Sequence, residues 1–118
     1  MAISNLGQLA NGQLFTDTAN TNAAVVIKAT SAVLYELELD NTANAAASYV
    51  KFYNTGTVTV GTTAPDSILM VPATTKITMV FPGGVTFGTA LAVATVNSGG
   101  TAGVIGPVTP ITVRAVYA

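Results

Sequence analysis

The residues of Ala32–Asp40 alternate between two sets of positions along the chain. The first set holds Val33, Tyr35, Leu37 and Leu39, and the second holds Leu34, Glu36, Glu38 and Asp40. A period of two is typical of a β-strand that has one face in the core and the other in water. The pattern therefore predicts a strand in which Leu37 and Leu39 are buried and the carboxylates are exposed.

A second alternating strand is predicted at Ser48–Asn54, where Val50 and Phe52 take the apolar positions. Asn41–Ala47, between the two strands, contains only Asn, Thr and Ala and is predicted to be a loop. We expect the two strands to form an antiparallel pair. The expected neighbours are Leu37 with Phe52, Leu39 with Val50, and Glu38 with Lys51 on the outer face.

The rest of the chain contains short apolar or alternating runs separated by Gly, Pro, Asn and Thr. Strands are predicted at Gln13–Thr16, Val25–Ala29, Thr57–Val60, Ser67–Val71, Thr75–Phe81, Ala90–Val96 and Ile111–Tyr117, and a short strand or a bulge at Val85–Phe87. Ser67–Val71 is apolar on both faces and is expected to lie inside a sheet, whereas Pro82-Gly83-Gly84 is expected to interrupt one. Asn97–Pro110 is rich in Gly and Pro and is predicted to be a mobile loop.

These elements predict an all-β, single-domain β-sandwich of about eight short antiparallel strands. Jelly-roll and immunoglobulin-like topologies both remain open at this point. The expected core consists of Leu37, Leu39, Val50, Phe52, Ile77, Met79 and Phe81. Residues 1–22 are predicted to form a polar N-terminal arm, and residues 23–118 the sandwich domain.

The low charge of the chain favours an assembly protein. Only 8% of the 118 residues are charged, while 50% are hydrophobic and the mean hydropathy is +0.58. Soluble surfaces are usually designed with about 25–35% charged residues. A surface built from Ala, Thr, Val, Gly and Asn suits a protein packed against copies of itself or a partner.

Composition also argues against several other functions. The chain has no histidine and no cysteine, which removes the usual general base and the thiolate nucleophiles and metal ligands. A net charge of −1 does not suit a nucleic-acid surface, and no apolar run approaches the ~20 residues of a membrane span. We therefore expect no enzyme activity, no cofactor, no nucleic acid and no membrane partner.

Two groups of side chains have alternative interpretations. Glu36, Glu38 and Asp40 share a strand face and could hold a hard cation, or could form a solvated face that deters edge-to-edge pairing. Tyr49 and Tyr53 flank Lys51 and could form a surface for a partner or a glycan. Alternatively, that face is covered by another strand or by a neighbouring subunit.

From Lys28 to Val96, the chain resembles a diffuse group of small structural proteins from tailed-phage virions. The resemblance lies in the order of short motifs. They are Leu34–Asn41, an Ala-rich loop, Tyr49–Asn54, Val60-Gly61-Thr62, Ala64-Pro65-Asp66, Leu69-Met70-Val71-Pro72, Phe81–Phe87 and the strand Ala90–Thr95.

Within that group, the chain is most similar to a head decoration (cement) protein. The resemblance implies a non-enzymatic β-protein, expected as a homotrimer, that binds the major capsid protein on the capsid exterior and reinforces the shell. It also implies synthesis in the cytoplasm of a bacterial host, and the N-terminus shows no secretory signal pattern. The alternatives are a neck, tail or fibre-base component, bound to another virion protein, or a carbohydrate- or cell-surface-binding β-module.

Two segments outside the expected core are the candidate partner-binding regions. One is the N-terminal arm, and the other is the glycine-rich loop at Asn97–Pro110. The candidate residues are Ile3, Leu6, Leu9, Phe15, Gly99, Gly100, Val104 and Ile105.

Overall fold

A computed structural model describes residues 12–118 of the chain, which form eight β-strands and, within that range, no helix. The strands are β1 (Gln13–Asn20), β2 (Val25–Lys28), β3 (Ala32–Asp40), β4 (Ser48–Tyr53), β5 (Ser67–Val71), β6 (Lys76–Phe87), β7 (Leu91–Val96) and β8 (Ile111–Tyr117). The predicted candidates Ile3, Leu6 and Leu9 lie outside the described residues.

The strands form two four-stranded antiparallel sheets that pack face to face. Sheet A has the order β1-β8-β3-β6, and sheet B has the order β2-β7-β4-β5. The predicted all-β sandwich is therefore confirmed. The first strand pairs with the last, the second with the second-last, and so on inward, which gives the ladders β1·β8, β2·β7, β3·β6 and β4·β5. This is the jelly-roll arrangement, so the topology that the sequence left open is resolved.

The predicted pairing of β3 with β4 is wrong, because the two strands lie in different sheets. Leu37 is paired with Met79 on one side and Ala115 on the other, and Lys51 is paired with Ile68 and Ala94. Alternation specifies which face of a strand is apolar, but it does not specify the neighbouring strand. Both apolar faces meet in the same core from opposite sides.

The core lies between the two sheets. Leu37, Leu39, Val50 and Phe52 are buried as expected. The other predicted core residues are partly buried and pack against this cluster; they are Ile77, Met79 and Phe81. All six residues of β7 are buried, because sheet A covers one face of the strand and loops cover the other.

An extra residue in β3 between Leu34 and Glu36, opposite a bulge in β6, changes the phase of the alternation in β3. The register of both β3 ladders shifts between Leu34 and Glu36, so Leu34 is buried together with Leu37. Pro82-Gly83-Gly84 interrupts the β3·β6 ladder, as expected, because none of the three has a partner in β3, but strand β6 continues through it. Gly83 and Gly84 have φ values of 84° and 83°, which side chains rarely adopt, and a side chain on Gly84 would collide with Val33 and Tyr35.

Three further predictions about strands are corrected. Ser67–Val71 forms an edge strand and does not lie inside a sheet. Thr57–Val60 is not a strand, because Val58 and Val60 pack onto the outside of sheet B. The predicted short strand at Gln13–Thr16 continues to Asn20 and pairs with β8, so this part of the polar N-terminal region belongs to the sandwich.

Candidate interaction surface

Two loops meet at one end of the sandwich and form a groove. They are the β3–β4 loop, 41–47, and the β7–β8 loop, 97–110. The groove has a volume of about 350 Å³ and is lined mainly by small side chains. Its lining residues are Ala43, Asn44, Ala45, Ala46, Ala47, Ser48, Asn97, Pro107 and Val108.

Asn41, the first residue of the β3–β4 loop, holds this loop in place by hydrogen bonds. This side chain is completely buried, and its Nδ2 donates to the main-chain oxygens of Ala46 and Pro72, both at 3.0 Å, and of Val71 at 3.2 Å. Its Oδ1 accepts a hydrogen bond from Ser48 Oγ at 2.8 Å. Buried polar groups that are fully paired make a loop rigid, so the floor of the groove is preformed.

Asn44 joins the two loops across the groove. Its Nδ2 donates to Thr109 O at 2.8 Å, and its Oδ1 accepts from Thr109 N at 2.8 Å. The same Nδ2 also donates to Asn41 Oδ1 at 2.9 Å. The two walls of the groove therefore belong to one hydrogen-bonded unit.

Large apolar side chains on the β7–β8 loop face solvent. Val108 is 97% exposed, Ile105 is 65% exposed and Val104 is 49% exposed. We call these three residues together with the groove the end surface. A rigid apolar surface loses little conformational entropy on binding, which favours protein–protein contact.

A buried lysine holds the β7–β8 loop against sheet B. The side chain of Lys51 is fully buried on the outer face of that sheet. Its Nζ donates to Gly103 O at 2.9 Å and to Thr101 O at 3.1 Å. Burial lowers the pKa of Lys51 from its ordinary value. The glycine-rich loop that the sequence suggested could move is thus pinned to the sheet.

The outer face of sheet B is covered by the chain's own loops. Lys51 lies on an outer face, as predicted, but it is buried there and is not beside Glu38, which belongs to the other sheet. Tyr53 is completely buried in a small cluster with Ala92 and Ala94, and Val58 and Val60 of the β4–β5 loop pack onto it. Its hydroxyl has no hydrogen-bond partner among residues 12–118, and burial raises its pKa. Of the predicted tyrosine surface, Tyr53 and Lys51 are therefore buried, and Tyr49 is half-buried.

The predicted partner-binding residues fall into different environments. Val104 and Ile105 are exposed on the end surface, and Gly99 and Gly100 are exposed in the same loop. A side chain on Gly99 would touch the Tyr49 ring, whereas Gly100 faces open space at a φ of 84°. Phe15 is partly buried and packs against the core, contrary to the expectation that it lies outside the core.

Two of the three carboxylates of β3, those of Glu38 and Asp40, have neighbouring cations. Arg114 donates to Glu38 Oε1 at 2.7 Å. The Thr42 hydroxyl and main-chain N–H donate to Asp40 Oδ1 at 2.6 and 3.0 Å and lower the pKa of Asp40, with smaller contributions from Lys76 and Arg114. Within the described residues, no group of three or more acidic, His or Cys side chains is placed to hold a metal ion. The arrangement favours a solvated strand face.

Sequence reasoning missed the groove itself. The predicted loop Asn41–Ala47 supplies one wall of the groove, but the second wall, at Pro107 and Val108, comes from a distant part of the chain. No local pattern in the sequence brings the two walls together.

Comparisons of the chain with protein-family models, with curated proteins and with solved structures find no match. The similarity to tailed-phage virion proteins therefore stays a prediction. No helix among the described residues has the length and apolar character needed to cross a membrane.

Proposed function

We propose that this protein is a non-enzymatic structural protein of a phage virion that binds the outer capsid through its end surface and reinforces the shell. The order of sequence motifs suggests the virion, and the low charge suggests assembly. The end surface supplies a contact site with suitable chemistry. The capsid partner, the homotrimeric state and the location on the capsid exterior are parts of this proposal.

The observation that supports this proposal best is the identity of the exposed large hydrophobic residues. Residues 12–118 contain eight of them, all aliphatic or methionine; they are Leu14, Val26, Met70, Val80, Val85, Val104, Ile105 and Val108. Three of them lie on the β7–β8 loop, beside a groove of small side chains. This combination permits close packing against another protein and offers few groups for charge-based recognition.

A carbohydrate-binding module is the second candidate, and jelly rolls occur both in viral capsid proteins and in lectins. The fold alone does not decide between them. Sugar-binding surfaces gain from exposed aromatic rings, but all four tyrosines and all four phenylalanines are buried or only partly exposed. This distribution favours the structural role.

The capsid shell would be reinforced through the thermodynamic linkage between binding and assembly. A protein that binds the assembled shell better than the separated subunits stabilises the shell by mass action. Binding through several copies at once adds avidity, so weak apolar contacts are sufficient. Because charges are few, binding is expected to change little with salt concentration.

The end surface can be tested by filling the groove. Ala46→Leu adds a side chain at an exposed position in the groove. Ala29→Leu adds the same side chain at the exposed β2–β3 turn, beside the start of β7 and therefore at the end of the sandwich opposite Asn97. Both variants are mixed with capsids that lack the protein, and the bound fraction is measured by sedimentation. We expect Ala46→Leu to bind at least about tenfold more weakly and Ala29→Leu to bind normally. Equal binding by both variants would show that the contact lies elsewhere.

A further inference from the structure

Strand β5 is an edge of the sandwich that no other strand of residues 12–118 covers. It pairs with β4 through all five residues, Ser67–Val71, without a register shift. It contains no charged residue, no Pro and no Gly, and Met70 is 52% exposed. Such an edge is a template for pairing with another extended chain.

The other three edges carry features that hinder pairing. In β1 the register shifts between Asp17 and Asn20, and the Asp17 carboxylate accepts from Asn20 Nδ2 at 3.0 Å. Strand β2 has four residues, a register shift and a terminal lysine, Lys28. Strand β6 contains the Pro82–Gly84 bulge. Bulges, charges, short length and proline are the devices that proteins use to prevent edge pairing, and β5 has none of them.

The free edge of β5 offers main-chain hydrogen-bonding groups. In an antiparallel ladder, alternate residues bond to one neighbour and the residues between them direct their N–H and C=O groups to the other side. Among residues 12–118, the backbone hydrogen bonds formed outside the strand ladders include none from Ser67–Met70. An extended backbone is the ligand that satisfies such a row of donors and acceptors.

An apolar cleft lies beside this edge, between β5 and β6. Its volume is about 110 Å³, and Ser67 is the only polar residue in its lining. Buried Leu37 and Phe52 line it together with the partly buried Leu69 and Phe81. Because alternate residues of a strand point to the same face, a strand added to β5 would direct one of its side chains into this cleft.

We propose that β5 and the adjacent cleft form a strand-addition site for an extended, uncharged segment of a partner protein, which inserts one large apolar side chain between the two sheets. The site is separate from the end surface, and the proposal does not depend on the proposed function. The partner's backbone supplies the hydrogen bonds, and the side chain that enters the cleft supplies selectivity.

The probe is a synthetic peptide, Lys-Thr-Val-Thr-Leu-Thr-Val-Thr-Lys, with blocked ends. Its binding to the full chain is followed by NMR, through chemical shifts and amide hydrogen exchange. We expect slower exchange within Ser67–Val71 and shifted signals for Leu37 and Phe52. Replacing the central Leu of the peptide by Ala should weaken binding about tenfold or more, and replacing it by Pro should abolish binding.

Two protein variants locate the site. Ser67→Leu places a side chain at the cleft and should weaken peptide binding at least tenfold, whereas Thr16→Leu, on the exposed face of β1, should bind like the wild type. If Ser67→Leu does not fold, the binding of the Leu, Ala and Pro peptides to the wild-type protein still tests whether a side chain enters the cleft. Equal binding of the Leu and Ala peptides, or shifts confined to other strands, would overturn the proposal.

Two further controls test whether the edge of β5 is covered by a second copy of the protein or by another part of the same chain. If exchange in β5 slows with increasing protein concentration in the absence of peptide, a second copy covers the edge. If deletion of residues 2–11 accelerates exchange in β5, the chain covers its own edge. Either result would overturn the assignment of this edge to a partner segment.

Discussion

Lys51 Nζ donates a hydrogen bond to Gly103 O at 2.9 Å and thereby joins the middle of β4 to a loop 52 residues further along the chain. A second bond, to Thr101 O, holds the same loop. The ammonium group is thus a fixed point beneath the β7–β8 loop, which carries the exposed residues Val104, Ile105 and Val108 of the end surface.

Replacing this lysine should loosen the loop without unfolding the sandwich. Lys51→Met retains most of the apolar volume but leaves the carbonyls of Thr101 and Gly103 without their donor. We expect faster amide exchange in residues 99–106 and unchanged protection in β7. A matched variant, Lys28→Met on β2, should leave the loop unaffected. Unchanged exchange in Lys51→Met would contradict the pinning role.

The buried lysine should also make stability depend on alkaline pH. Burial lowers the pKa of Lys51 in the folded state below its value of 10.5 in the unfolded chain. Between these two pKa values, the unfolded state binds more protons, so the free energy of unfolding attributable to Lys51 rises with pH. This contribution to the free energy of unfolding does not change with pH below the pKa of Lys51 in the folded state, or above 10.5.

The measurement is the difference in unfolding free energy between wild type and Lys51→Met at pH values approaching 10.5. The difference should move in favour of the wild type as pH rises. Tyr53 has the opposite effect, because burial raises its pKa, but it is present in both proteins and largely cancels. A difference that is flat with pH, or that falls, would mean that the pKa of Lys51 is not lowered.

Asn44 should be needed for the shape of the groove. Asn44→Ala leaves Thr109 N–H and C=O unpaired and should lower the free energy of unfolding by about 1–3 kcal/mol. Thr42→Ala, on the exposed part of the same loop, should cost less than about 1 kcal/mol. Chemical denaturation of both variants measures the difference, and equal costs would show that Asn44 does not join the loops in solution.

Phe52 should be one of the main contributors to the core. It is buried between the two sheets, so Phe52→Ala should lower the free energy of unfolding by about 3–5 kcal/mol. Denaturant titration is the measurement. A cost below about 1 kcal/mol would place Phe52 outside the core.

Alternation along the chain correctly predicted that Leu37, Leu39, Val50 and Phe52 are buried. It did not predict the burial of Leu34, which follows from the register shift in β3, or the burial of Lys51 and Tyr53 on the other face of β4. Nor did it predict the neighbours of β3 and β4, because Leu37 and Phe52 enter the same core whether the strands share a sheet or face each other. The jelly-roll order depends on pairs far apart in sequence, such as β1 with β8, and a local pattern contains no information about them.

The candidate surface was predicted only in part. Val104 and Ile105 were identified because they lie in a glycine-rich segment outside the predicted core. The burial of Lys51 was missed because a charged residue between two tyrosines suggests a wet face, and only the folded β7–β8 loop supplies the carbonyls that accommodate it. The groove was missed because its two walls are distant in sequence.

Under the proposed function, this protein stabilises a shell by binding it. The most direct test is the temperature at which virions release their DNA, measured for particles with the protein, without it, and without it after purified protein is added back. We predict release at a lower temperature without the protein and full restoration by the wild type, but not by Ala46→Leu. Equal release temperatures with and without the protein would contradict the reinforcing role.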